Sequence, residues 1–198
     1  MNKINIVLID NFDSFTYNLV DELRVMGIKL TVFRNTVPTA KVMSVLQNSQ
    51  EQALLLLSPG PGDPSSAGNL LDILNAAQGT YPVLGICLGH QAIVQHYGGT
   101  IGRAPLAVHG KSSSVTHCAD KMFSALPNPF PVARYHSLMA TTMPEALTTI
   151  AQFDSIPMAV FNEQDNMLGF QFHPESILTS MGSQLLRQSI DYLTRSAL

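Results

Sequence analysis

The segment Ile4-Asn5-Ile6-Val7-Leu8-Ile9-Asp10 constrains the fold of this chain more than any other stretch. It is nearly continuous in β-branched and aliphatic residues. That pattern predicts a strand buried on both faces, as in a parallel sheet. Asp13 or Ser14 then offers an N-cap, Phe15, Leu19, Leu23 and Met26 recur at helical spacing, and Gly27 supplies a stop. The rhythm repeats. Leu30 to Phe33 reads as a strand and Thr39 to Gln47 as a weaker helix. Ala53 to Leu57 is a strand ending at Ser58-Pro59-Gly60-Pro61-Gly62, and Asn69 to Gln78 reads as a helix. Val83 to Ile86 is a short strand, and Gln91 to Tyr97 begins the next helix. Such alternation predicts an α/β fold with a mostly parallel central sheet flanked by helices.

From about Thr100 the rhythm changes. Short strands are expected at Ser112 to Thr116, Pro131 to Tyr135, Thr148 to Gln152, Met158 to Phe161 and Met167 to Phe172. Asp165-Asn166 marks a hairpin turn between the last two. These strands are expected as antiparallel additions in the C-terminal half, to the same sheet or to a small second one. A helix over Ser180 to Leu193 closes the chain, with Leu185, Leu186, Ile190 and Leu193 in one stripe. The length, 198 residues, suits a single domain over 1–198.

Composition excludes several classes of function. Apolar residues make up 45% and charged residues only 13%, against a usual charged share of about a quarter, so disorder is not expected. The formal net charge of −3 argues against non-specific nucleic-acid binding. No apolar run approaches the roughly 20 residues of a membrane span. The start runs straight into a strand, so no cleaved leader is expected. The cysteines are Cys87 and Cys118, without a Cys-x-x-Cys pair. A disulfide scaffold or zinc cluster is therefore not expected, and a reducing cytoplasm is the default location.

Gly85-Ile86-Cys87-Leu88-Gly89 has the form Gly-x-nucleophile-x-Gly between a strand and a helix. A sharp turn there presents the side chain at the carboxyl edge of the sheet, and the glycines remove Cβ clashes. The following helix aims N–H dipoles at the sulfur, favouring thiolate. A buried structural cysteine on a tight turn is the plain alternative, and this segment alone leaves the two evenly balanced. His90, His96, His109, His117 and His136 have no setting that marks a base. His173 does, in Gln171-Phe172-His173-Pro174-Glu175-Ser176. Proline holds His173 extended, so residues i and i+2 share a side and Glu175 can orient the imidazole. The N–H of Leu88 is the natural first oxyanion donor, and the Gly60-Pro61-Gly62 turn a candidate second. Two look-alikes are set aside. Gly110-Lys111-Ser112 lacks the first glycine of a Walker A loop, and Gly98-Gly99-x-x-Gly102 is not a dinucleotide fingerprint.

Together these segments resemble the three signatures of class I, triad-type glutamine amidotransferases, over nearly the whole chain. Asp10-Asn11-Phe12-Asp13-Ser14-Phe15-Thr16-Tyr17-Asn18-Leu19, His109-Gly110-Lys111 and Arg134-Tyr135-His136-Ser137-Leu138 narrow the resemblance. They are similar to the glutaminase subunits of chorismate-using synthases, leaning towards those that make anthranilate over those that make aminodeoxychorismate. Some such subunits serve both. The resemblance implies a three-layer fold, L-glutamine as substrate and, as protein partner, a chorismate-binding synthase subunit. It implies that Cys87 attacks the glutamine amide, that His173 serves as acid and then base, and that Glu175 orients it. Leu88 and the Gly60-Pro61-Gly62 turn would hold the oxyanion, and Gln91 with the Ser137-Leu138 backbone the amino-acid end. It implies no cofactor in this chain, a magnesium ion being expected in the partner. Pro105-Leu106-Ala107 departs from the expected Gly-Glu-like stretch, in a segment expected to face the partner. Part of the low-charge surface is then expected to be interface. A free-standing γ-glutamyl cysteine hydrolase and a non-enzymatic binding module are the alternatives from other classes. The intact Cys87, His173 and Glu175 set argues against the second.

Overall fold

The computed structural model describes residues 4–195. Its first half is the expected alternation: β1 (Ile4–Asp10), α1 (Phe15–Val25), β2 (Lys29–Arg34), α2 (Thr39–Gln47), β3 (Gln52–Leu57), α3 (Leu70–Ala77), β4 (Val83–Ile86) and α4 (Leu88–His96). The second half adds β5 (Thr100–Arg103), β6 (Lys111–His117), β7 (Phe130–Arg134), β8 (Leu138–Thr142), β9 (Thr148–Phe153), β10 (Ile156–Asn162), β11 (Met167–Phe170) and α5 (Gly182–Leu193).

Among the described residues nine strands form one sheet in the order β2-β1-β3-β4-β11-β10-β9-β6-β7. The first five are parallel, and β10, β9, β6 and β7 are added antiparallel. β5 and β8 pair separately. The C-terminal half thus contains both expected outcomes, an extension of the main sheet and a small second sheet.

Period-two alternation of side chains explains the layers. On one face Ile6 and Leu8 of β1 and Leu54 and Leu56 of β3 pack with Leu19 and Leu23 of α1 and Leu185, Leu186 and Ile190 of α5. On the other, Val7, Ile9, Leu55 and Leu57 pack with Val42 and Leu46 of α2, Ile73 and Leu74 of α3 and Ile93 of α4. Each fully buried Leu or Ile contributes roughly 1.5–3 kcal/mol. β1 is covered on both faces, as its composition requires.

Several boundaries differ from expectation. α4 begins at Leu88, ahead of Gln91, because the elbow feeds the chain directly into the helix. β11 stops at Phe170, where the chain leaves the sheet and His173 N–H donates to the Ala133 carbonyl. α5 begins at Gly182 rather than Ser180. β5 and β8 were not expected, since Thr100, Gly102 and Arg103 show no apolar alternation. At α1, Ser14 takes the cap position without a side-chain bond, and the Asp13 carboxylate accepts from Phe15 N–H at 2.7 Å. The 165–166 hairpin is present, with Asn166 at φ 53°.

Candidate active site

β1, β3, β4 and β11 are adjacent and parallel, so their carboxyl ends form one edge. Cys87 follows β4 there. It sits at φ 51° and ψ −98°, a conformation costing about 1–3 kcal/mol for a residue with a Cβ. The neighbouring glycines make the turn possible. A Cβ on Gly85 would lie 2.5 Å from the backbone of Gly89, and one on Gly89 would lie 2.5 Å from the Leu57 carbonyl. Cys87 N–H donates to the Phe170 carbonyl at 2.7 Å, tying the elbow to the end of β11. Leu88 opens α4, so its N–H has no acceptor within the helix.

His173 and Glu175 leave β11 towards the same place. Glu175 Oε1 lies 2.7 Å from His173 Nδ1, and both residues are buried. The imidazole is flanked by Phe15 and Tyr135, with ring centroids 4.8 and 5.2 Å away. Burial is the largest single influence on His173 and pulls its pKa down. The charges of Cys87 and Glu175 and their hydrogen bonding together outweigh it, and the pKa is raised to about 10. His173 is thus an imidazolium near neutrality, donating through Nδ1 to Glu175. Its Nε2 is buried with no well-formed hydrogen bond, and its charge is coupled to Cys87.

The Gly60-Pro61-Gly62 turn is held by Asn11. Asn11 N–H donates to Ser58 Oγ and Asn11 Nδ2 to the Ser58 carbonyl, both at 2.9 Å, and Asn35 Nδ2 braces Asn11 Oδ1 at 3.1 Å. Gly60 is the member brought against Leu88: a Cβ there would lie 2.5 Å from Leu88 Cδ2. Pro61 and Gly62 are exposed. Gln91, on α4, donates from Nε2 to the Leu138 carbonyl at 3.1 Å and to Gln171 Oε1 at 3.2 Å. Ser137 is exposed, and its carbonyl accepts from Ala104 N–H at 2.8 Å. All the candidate segments except the exposed Pro61 and Gly62 therefore make or adjoin contacts in one region, around the Cys87 thiol, the His173–Glu175 pair and the Leu88 N–H.

A family model for class-I glutamine amidotransferases matches residues 7–192. The chain belongs to this family. It is 48% identical over 188 residues to anthranilate synthase component 2 of Vibrio parahaemolyticus, covering 95% of each chain. It is 48% identical over 189 residues to that of Haemophilus influenzae, covering 96% of this chain and 97% of the other. Among solved structures, a Thermoplasma acidophilum protein described as part of a candidate GMP synthase superposes with a TM-score of 0.84. That match has 23% identity and covers 98% of this chain and 95% of the other, a likeness of fold.

The same region contains residues that pattern reading left without a role. Gln171 is fully buried, and its Nε2 lies 3.8 Å from Cys87 Sγ. Its i, i+2 spacing to His173 was the available signal, since both then project to one side. His136 is buried, with Nδ1 3.0 Å from the Leu138 carbonyl and Nε2 accepting from Arg134 Nε at 3.1 Å. Burial, then the Arg134 charge, lowers its pKa to about 4. Thr179 Oγ1 donates to the His173 carbonyl at 2.7 Å and accepts from Ala133 N–H at 2.9 Å. Cys118 is exposed, not buried as a packing cysteine would be. Among the described residues no three His, Cys, Asp or Glu side chains group as metal ligands would, and no helix is long and apolar enough to cross a membrane.

Proposed function

We propose that this amidotransferase is the glutaminase subunit of an anthranilate synthase, hydrolysing L-glutamine and passing ammonia to a chorismate-binding subunit. The meeting of Cys87 with the His173–Glu175 pair at the carboxyl edge of the sheet carries the chemical part of the reading. The near full-length likeness to proteins named anthranilate synthase component 2 supports the choice of synthase.

The Cys87 thiolate attacks the side-chain amide carbon of glutamine, and the oxyanion is held by Leu88 N–H and the Gly60 turn. The His173 imidazolium gives its Nε2 proton to the leaving nitrogen, which departs as ammonia and leaves a γ-glutamyl thioester. Neutral His173 then takes a proton from water, whose oxygen attacks the thioester. Collapse expels the thiolate, restores the imidazolium and yields glutamate. Glu175 holds Nδ1–H throughout, which fixes the ring and stabilises its charged form. Gln91 and the Ser137-Leu138 backbone bind the amino-acid end. These steps call on no metal in this chain, and the magnesium ion belongs to the partner's chorismate chemistry. A cytoplasmic, reducing setting suits the free Cys87. Ammonia must reach the partner unprotonated, so the site needs a covered interface. A groove of about 590 Å³ beside Glu175 is bordered by Ile177, 96% exposed, and Pro105-Leu106-Ala107 is exposed as well.

The test is reconstitution with the chorismate-binding subunit. Cys87→Ser is expected to abolish anthranilate formation from glutamine, by at least 10³-fold, while formation from ammonium salts persists. Retained glutamine use would remove Cys87 from the mechanism.

A further inference from the structure

Gln171 reaches the Cys87 sulfur with one end of its amide and Gln91 with the other. Which end faces which depends on its neighbours, because the two ends of an amide differ only in hydrogen bonding. The Leu138 carbonyl can only accept, so Gln91 must turn its Nε2 towards it. The second N–H of that nitrogen then points at Gln171, which must answer with Oε1. The remaining end of Gln171, its N–H, faces the sulfur at 3.8 Å.

The Leu138 carbonyl is itself held. Arg134 Nε can only donate, so His136 Nε2 accepts, and the proton of the ring lies on Nδ1, which donates to Leu138. Every side chain in this run is buried: Arg134 4%, His136 3%, Gln91 3% and Gln171 0% exposed. Arg134 and His136 hold the Leu138 carbonyl in place, and the carbonyl, which can only accept, then fixes the polarity of Gln91 and through it that of Gln171.

We infer that Gln171 is a further catalytic residue, whose amide N–H donates to the Cys87 thiolate, and that Arg134, His136, the Leu138 carbonyl and Gln91 keep that N–H, not the amide oxygen, aimed at the sulfur. A hydrogen bond to a charged acceptor is among the stronger kinds, whereas an amide oxygen in the same place would repel the thiolate. This rests on the reading of Cys87 as nucleophile.

The experiment uses the reconstituted complex. Alkylation of Cys87 by iodoacetamide is followed by mass spectrometry across pH, beside glutamine- and ammonium-dependent turnover. Gln171→Leu is expected to move the alkylation midpoint up by about one pH unit and to lower glutamine-dependent kcat about tenfold. Ammonium use, carried by the partner, reports on folding and assembly. Gln171→Glu, close in shape, is expected to move the midpoint further, because a carboxylate oxygen then faces the sulfur. His136→Leu is expected to move it in the same direction by less. An unmoved midpoint in whichever Gln171 variant assembles overturns the contact with sulfur, and an unmoved midpoint in His136→Leu overturns the run that orients it. Glutamine use surviving Cys87→Ser is the separate result that sinks the underlying reading.

Discussion

The elbow shows at the scale of one residue how local strain and chemistry are linked. Cys87 keeps a Cβ at φ 51° and ψ −98°, where glycine alone is comfortable. The helix, the Phe170 bond and the flanking glycines hold it there. Cys87→Gly is therefore expected to be more stable than Cys87→Ala by about 1 kcal/mol, since both lack the sulfur and only glycine relieves the strain. Urea denaturation of the two variants checks this, and the usual order, with alanine more stable, would mean the elbow is unstrained. Gly-x-Cys-x-Gly is a local pattern, so this much was readable without a structure. The role of Gln171 was not, since its partner lies 84 residues away.

At the scale of elements, the approach of His173 depends on how the chain after β11 is fastened to β7 and α5. Thr179 bridges the His173 carbonyl and Ala133 N–H, and Gly182 at the start of α5 lies against the Pro174 carbonyl. Thr179→Val keeps the shape and removes both bonds, leaving a buried donor and acceptor unpaired. We expect a loss of about 1–3 kcal/mol in urea denaturation, with a lower glutamine-dependent kcat as His173 loosens. Normal activity with normal stability would show that Pro174 alone sets the turn. Strands β1, β3 and β4 were readable because burial on both faces leaves a continuous apolar run, whereas β2, at the sheet edge, is only partly buried and shows a shorter one. β5 and β8 were not, because a two-stranded pair at the surface needs no such run. Yet β8 begins at Leu138, whose carbonyl orders the site.

At the scale of the whole molecule, three buried histidines set opposite pH limits. His90 is fully buried, and burial, opposed by the Gly169 backbone, lowers its pKa to about 4; that of His136 falls to about 4 as well. A group depressed below its unfolded value near 6.5 contributes stability above that value and loses it as pH falls through its folded pKa. Stability is therefore expected to decline from about pH 6.5 to 4. His173 is raised to about 10, so its contribution is complete below about 6.5 and disappears as pH rises through 10. Urea midpoints between pH 7 and 4 test the acid limb. His90→Leu removes a ring whose nitrogens make no well-formed bond, and is expected to lose less stability on acidification than the parent chain. A parallel decline in both would exclude His90 as a source.

The groups proposed to react were legible in the sequence as local patterns: Cys87 between its glycines, and His173 with Glu175 across a proline. Those features are local, and short-range backbone preferences determine them. The tertiary structure alone decided their company. β11 reaches β4 only after the chain has built β5 to β10, and that insertion brings Gln171 to the sulfur. Asn11 meets the Ser58 turn because β1 and β3 are neighbours in the sheet. Sheet order depends on which buried faces fit together, and no window of neighbouring residues contains that information.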